Sequence, residues 1–182
     1  MHESTVGNLR SAFGGESMAH MRYLIWSTKA EAEGFPNVAR LFRAIAAAEQ
    51  AHATGHFRAM AGVDGSHLVP AGGAFGYAGT AENLVGAVEG ETFEVEEMYP
   101  AYLEVARLQG EPAAERSMGW ALAAEKIHAE MYTRAKQAVD AGKDLPLGPV
   151  RICTICGHTL EGDVPEQCPI CGAVRERYVT FE

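Results

Sequence analysis

Cysteine is absent from the first 152 residues of this 182-residue chain and then occurs four times, at Cys153, Cys156, Cys168 and Cys171. That distribution argues against a disulfide framework, which spreads its bridges through a fold, and thiols kept reduced place the chain in the cytoplasm as an expectation. Long apolar runs are missing too. No stretch approaches the roughly 20 residues of a spanning helix, so a helical membrane protein is excluded. Met1 to Arg10 contain no basic stretch leading into an apolar one, and no secretory signal is expected. Basic residues are few, 15 Lys and Arg against 24 Asp and Glu; at net charge −9 and without a cationic stripe, a nucleic-acid partner is excluded. No G-x-G-x-x-G follows a strand pattern, so the chain has no nicotinamide site of its own. What is present, 47% apolar and 21% charged residues, is ordinary for a globular protein with one good-sized core and a small appendage.

The four cysteines form two C-x-x-C hooks, Cys153 to Cys156 and Cys168 to Cys171, each followed by a glycine, Gly157 or Gly172. Glycine lets the backbone turn so that amide N–H groups face the thiolates. Four thiolates at this spacing suit one tetrahedral ion, and their softness admits zinc or iron.

Upstream, residues 5 to 142 carry helical apolar spacing, and the breakers divide them into four helices: about Thr5 to Glu33, Pro36 to Ala61, Thr80 to Gln109 and Pro112 to Ala141. Thr80 reads as an N-cap, and Pro100 predicts a kink in the third helix. Seven residues of the 62–79 segment are glycine or proline, which makes it a loop. Extended, it could reach about 60 Å, longer than a helix of roughly 40 Å, so the chain can return to its starting end. The expected fold is therefore an all-α four-helix bundle with one long crossover over residues 1–142, a stiff linker at 143–150, and a small metal-binding domain at 151–182.

Chemistry is concentrated at one depth. Glu49-x-x-His52 lies on the second helix and Glu125-x-x-His128 on the fourth, each pair on one helix face. Glu16 stands 18 residues before the corner at Gly34, and His52 18 after it. Glu91 stands 19 residues before Gly110 and His128 18 after it, with Glu94 and Glu125 at 16 and 15. Antiparallel helices place such equidistant residues side by side, so five carboxylates and two imidazoles converge on one layer. Burying so many glutamates requires cations, and oxygen-rich ligation with one imidazole per ion selects iron or manganese.

Gly15-Glu16-Ser17, Glu49-x-x-His52, Gly90-Glu91-Thr92-Phe93-Glu94 leading to Met98-Tyr99-Pro100, Glu125-x-x-His128 and the two Cys-Gly hooks resemble, in order and spacing, the signature segments of the rubrerythrins. That resemblance implies a ferritin-like di-iron bundle followed by a rubredoxin-like domain. It implies two iron ions held by Glu16, Glu49, Glu91, Glu94, Glu125, His52 and His128, with Glu49 and Glu125 bridging, and a third iron held by the cysteines. One bundle iron would exchange Glu94 for His52 with oxidation state, while Tyr23 and Tyr99 would hydrogen-bond ligand carboxylates. The implied activity is reduction of hydrogen peroxide. Electrons would come from an NAD(P)H-dependent reductase or a rubredoxin, and would cross between subunits of a head-to-tail homodimer. A ferroxidase or iron-handling protein, and a structural zinc ribbon on a di-metal bundle, are the competing readings. His20 and His56 read as outer or packing histidines. His158 replaces the tyrosine usual after Cys-Gly, beside the thiolates.

Overall fold

The computed structural model describes residues 1–182. Helices α1 (Glu3–Ala32), α2 (Pro36–Ala59), α3 (Thr80–Phe93), α4 (Tyr99–Leu108) and α5 (Pro112–Asp140) are followed by strands β1 (Val150–Cys153), β2 (Thr159–Glu161) and β3 (Tyr178–Phe181). Both tight corners are closed in the same way. Gly34 and Gly110 take positive φ of 87° and 65°, and the next N–H reaches back into the preceding helix, Phe35 to Ala30 and Glu111 to Ala106. Only glycine adopts that conformation without strain, so each helix stops there and the chain reverses.

The 62–79 segment runs back along α1, where the Trp26 indole donates to the Gly76 carbonyl at 3.0 Å and Arg22 reaches the Ala74 carbonyl at 3.4 Å. This is the single long crossover. Thr80, expected to cap α3, instead begins it; its N–H and hydroxyl both donate to Glu33 at the end of α1, at 2.8 and 2.7 Å. Lys29 pairs with the other Glu33 oxygen at 2.9 Å. The Thr80 hydrogen bonds, with Lys29 assisting, hold the Glu33 carboxyl down at about 2, against an ordinary 4.5. A depressed carboxylate stabilises the fold above its unfolded value and loses that contribution as pH falls through the folded one. Glu33→Gln should therefore lower the melting temperature at neutral pH by about 2–4 °C, the loss typical of one helix cap. Thermal scans should show the gap between variant and parent closing from pH 4.5 toward 2; a gap unchanged over that window would refute the assignment.

The expected Pro100 kink takes another form. A single π-helical turn, Glu94–Met98, joins α3 to α4. Proline offers no N–H and its ring crowds the carbonyl four residues back, and widening the helix there relieves both. The turn also changes phase. At about 100° per residue, Tyr99 would stand roughly 80° from Glu91 on an unbroken α-helix; one absorbed residue brings it within roughly 20°. Tyr102 is rotated away by the same step and bonds to Ser11 at 3.1 Å.

Residues 143–149 are not a free spacer. Asp144 accepts from the N–H groups of Asn37 and Val38 at 2.9 and 3.2 Å, capping α2 from outside, and Asn37 donates to the Leu145 carbonyl at 2.8 Å. Leu145, Leu147, Val150 and Ile152 are buried in the same apolar cluster as Trp26, Phe42 and Tyr132. The antiparallel sheet, in order β2-β1-β3, is thereby docked on the bundle. No helix is long and apolar enough to cross a membrane.

Candidate metal centre

Two apolar clusters fill the bundle, one around Tyr23, Phe42 and Tyr132 and the other around Leu9, Leu103 and Met118. Buried glutamates and histidines form two further groups. Glu16, Glu49, His52 and Glu125 have ligand atoms within 4.8 Å of one another, as do Glu49, Glu91, Glu125 and His128. Glu49 and Glu125 belong to both groups, so six side chains from α1, α2, α3 and α5 make two adjoining sites. None is more than 3% exposed.

The chemistry of the donors fits cations. One oxygen of each glutamate, Oε2 of Glu16 and Glu91 and Oε1 of Glu49 and Glu125, is buried without a hydrogen-bond partner. Such orphaned carboxylate atoms are costly unless a cation meets them. Burial pushes the Glu125 and Glu49 carboxyls up, the charges of Glu49 and Glu91 respectively adding to it. Burial works against charge on His52 and His128, yet the adjacent Glu125 carboxylate holds both rings well above the usual imidazole range. Protons thus balance the charge where cations do not.

Hydrogen bonds on the far side of each ring fix which nitrogen faces the carboxylates. His52 Nε2 lies 3.1 Å from the Cys156 carbonyl, which can only accept, so Nε2–H donates. His128 Nε2 lies 2.8 Å from Thr159 Oγ1, whose own proton goes to the Gly157 carbonyl, so again Nε2–H donates. Each Nδ1 lone pair is left for an ion. His52 Nδ1 is 2.6 Å from Glu125 Oε1, and His128 Nδ1 is 2.6 Å from Glu125 Oε2.

Tyrosines brace the carboxylates. The Tyr23 hydroxyl donates to Glu91 at 2.5 Å and the Tyr99 hydroxyl donates to Glu16. Burial, then the charges of Glu91 and Glu16 respectively, push both phenols well above their usual range, so they remain donors. Glu94 stands apart from both groups. Its carboxyl is pushed well up by burial and by the charges of Glu16, Glu125, Glu91 and Glu49, and the residue lines a cavity of about 490 Å³ that also touches Gly15, Arg22, Gly73, Gly90 and Tyr102. Glu94, the fifth carboxylate expected in the layer, stands at the start of the π turn and feels the charges of the other four.

Cys153, Cys156, Cys168 and Cys171 form the remaining group. Their Sγ separations of 3.7 and 3.5 Å match the edge of a tetrahedron with metal–sulfur bonds of about 2.3 Å, roughly 3.8 Å, and far exceed a disulfide bond. The hydrogen bond from Cys156 helps pull the Cys153 thiol down to about 5, while the Cys153 sulfur drives Cys156 far up. The four cannot ionise together unless a cation joins them.

Sequence reasoning anticipated the histidines but not their outer partners, because Cys156 and Thr159 follow the histidines they meet by 104 and 31 residues. His56, read as an outer or packing residue, is fully buried and bonds to Tyr99 at 2.8 Å and Ser117 at 2.9 Å; burial holds it below the usual imidazole range. His20 caps the Ala46 carbonyl at 2.6 Å. His158 bonds to Tyr178 at 2.7 Å.

The rubrerythrin family profile matches residues 7–136, and the rubrerythrin rubredoxin-like domain profile matches residues 152–179. Rubrerythrin-2 of Clostridium acetobutylicum is 48% identical over 177 residues, covering 97% of this chain and 96% of that protein. Nigerythrin of Nitratidesulfovibrio vulgaris is 33% identical, covering 98% and 87%. The fully reduced, all-ferrous structure of nigerythrin superposes with a TM-score of 0.85 at 32% identity, over 100% of this chain and 88% of that one. Symerythrin of Cyanophora paradoxa, at 21% identity and a TM-score of 0.66 over 76% of this chain and 87% of that one, shares the fold of the bundle. With both profiles falling on the residues that build the two sites, the chain belongs to the rubrerythrin family.

Proposed function

We propose that the protein is an oxidoreductase that reduces hydrogen peroxide to water, with iron at the two bundle positions and at the four-cysteine site. The observation that carries this reading is the hydrogen bond between His52 and the Cys156 carbonyl, which joins the sulfur site to the bundle site through one backbone group. A store or ferroxidase needs no such connection, and a structural zinc ribbon needs no contact with a metal-facing histidine.

Bound iron would supply one-electron changes, two from the bundle and one at a time from the sulfur site. The protein does the rest. Glu49 and Glu125 would lie between the two ions, Glu16 with His52 holding one and Glu91 with His128 the other. Tyr23 and Tyr99 hold the outer carboxylates in place. Glu94 lines the cavity through which peroxide would reach the layer, and its position outside both groups, with His52 inside, supports an exchange between these two residues. The reaction consumes two electrons and two protons per peroxide. Electrons would arrive from a separate NAD(P)H-dependent reductase or a rubredoxin, in the cytoplasm. The sulfur site lies against the histidines of its own chain, so the homodimer expected from the family need not carry electrons between subunits.

Stopped-flow mixing of the fully reduced protein with peroxide, and separately with oxygen, tests this. Both centres should oxidise with peroxide, faster than with oxygen, and the sulfur site should show the visible absorption of ferric thiolate. A colourless sulfur site would leave the zinc reading, and oxidation by oxygen alone would leave the ferroxidase.

A further inference from the structure

Four side chains form an unbroken hydrogen-bonded row from the protein surface to the bundle site. Ser117 on α5 lines a pocket of about 260 Å³ together with Gly55, Arg58, Trp120 and Ile155. Its Oγ lies 2.9 Å from His56 Nδ1; His56 Nε2 lies 2.8 Å from the Tyr99 hydroxyl; and Tyr99 donates to Glu16. His56, Tyr99 and Glu16 are wholly buried, and Ser117 is partly exposed.

Counting protons gives this row a direction. A carboxylate only accepts, so the single Tyr99 proton points at Glu16. The Tyr99 oxygen must then accept, and His56 Nε2–H donates to it. The other nitrogen of a neutral imidazole carries a lone pair, so His56 Nδ1 accepts from Ser117. Every donor points inward.

We infer that Ser117, His56 and Tyr99 are a proton relay that delivers solvent protons to the Glu16 edge of the bundle site, with His56 as its positioning and transfer element. This rests on the peroxidase reading, which requires two protons per peroxide at a layer of buried side chains. In one passage the Ser117 O–H bond breaks as N–H forms on His56 Nδ1. The Nε2–H bond breaks as O–H forms on Tyr99, the Tyr99 O–H bond breaks as O–H forms at Glu16, and Glu16 returns to carboxylate as its proton passes to the peroxide oxygen being reduced. Pocket water restores the Ser117 proton, and the row resets when His56 regains its Nε2–H tautomer. One proton moves per passage, no electron moves, and two passages serve one peroxide. Gly55 leaves room for the serine, since a Cβ there would sit 3.0 Å from Ser117 Oγ.

Two measurements test the relay. In protein loaded with diamagnetic zinc, nitrogen-15 histidine NMR should show His56 as the Nε2–H tautomer with Nδ1 accepting. Nδ1–H or a doubly protonated ring would overturn the proposal whether or not the chain reduces peroxide. In reduced iron-loaded protein, Ser117→Ala leaves every ligand and the Tyr99–Glu16 bond in place. Peroxide-driven oxidation should slow by about 10-fold or more, at the low end of losses for proton-transfer groups, with a larger solvent deuterium isotope effect. His56→Gln keeps a donor toward Tyr99 but cannot relay, and should slow equally with two bundle ions still bound. Parent rates in Ser117→Ala, including the case where only His56→Gln is slow, would reduce His56 to a packing residue and overturn the relay. If the parent protein itself ignores peroxide, the peroxidase reading fails and the tautomer alone decides the relay.

Discussion

Glu125→Ala is expected to empty both ion positions of the bundle, whereas Glu16→Ala or Glu91→Ala should empty one. The asymmetry follows from membership. Glu125 and Glu49 contribute to both groups of ligand atoms, while Glu16 and Glu91 each serve a single group. The two Glu125 oxygens face His52 Nδ1 and His128 Nδ1 separately, each at 2.6 Å, so its loss takes a ligand atom from each position. Stability should change with stoichiometry. An ion that binds only the folded chain, at free concentration 1,000-fold above its Kd, contributes about 4 kcal/mol, so two contribute about 8 kcal/mol. For a chain of this size that is a fall in Tm of roughly 15–30 °C. Metal analysis beside calorimetry checks both parts, and a Glu125→Ala protein that retains two bundle ions would refute the shared-ligand arrangement.

The second large effect is expected from a residue that is not a ligand. Gly157 follows Cys156 at φ 76°, and a Cβ at this position would collide with the His52 ring. Gly157→Ala therefore meets two obstacles, a left-handed backbone that costs about 1–2 kcal/mol for an L side chain and a ring that cannot retreat from its carboxylates. The cysteine loop must lift, and the His52 Nε2–H to Cys156 bond must break. All four cysteines are retained and move together, so the sulfur site should still bind iron with its usual colour. Transfer between the centres should fall roughly 100-fold, the loss typical of a 1 Å misplacement of reacting groups. Rapid mixing resolves this, because the sulfur site should stay reduced after the bundle site is oxidised. Parent transfer rates in the variant would mean that electrons take another route.

Much of this arrangement was legible in the residue order. Glu49-x-x-His52, Glu125-x-x-His128 and the paired C-x-x-C hooks are short-range patterns, and the corners at Gly34 and Gly110 set their depths by simple counting. Thr80 was misread because the better acceptor for its N–H, Glu33, comes 47 residues earlier. Pro100 signalled a distortion at the right place but not its kind. A kink would leave the choice between Tyr99 and Tyr102 open, whereas the π turn rotates Tyr99 toward Glu16 and starts at Glu94, outside the ion groups.

Helical period and hook spacing, both properties of neighbouring residues, were sufficient by themselves to specify a bundle with paired Glu–His motifs and a separate four-sulfur site. Tertiary structure alone decided how those parts address one another: the Nδ1 faces of His52 and His128, the docking of the cysteine loop on its own bundle, and the inward row from Ser117 to Glu16. Each depends on a donor and an acceptor from different elements meeting within about 3 Å. Such meetings are set by the packing of whole helices and a sheet, which no local pattern encodes.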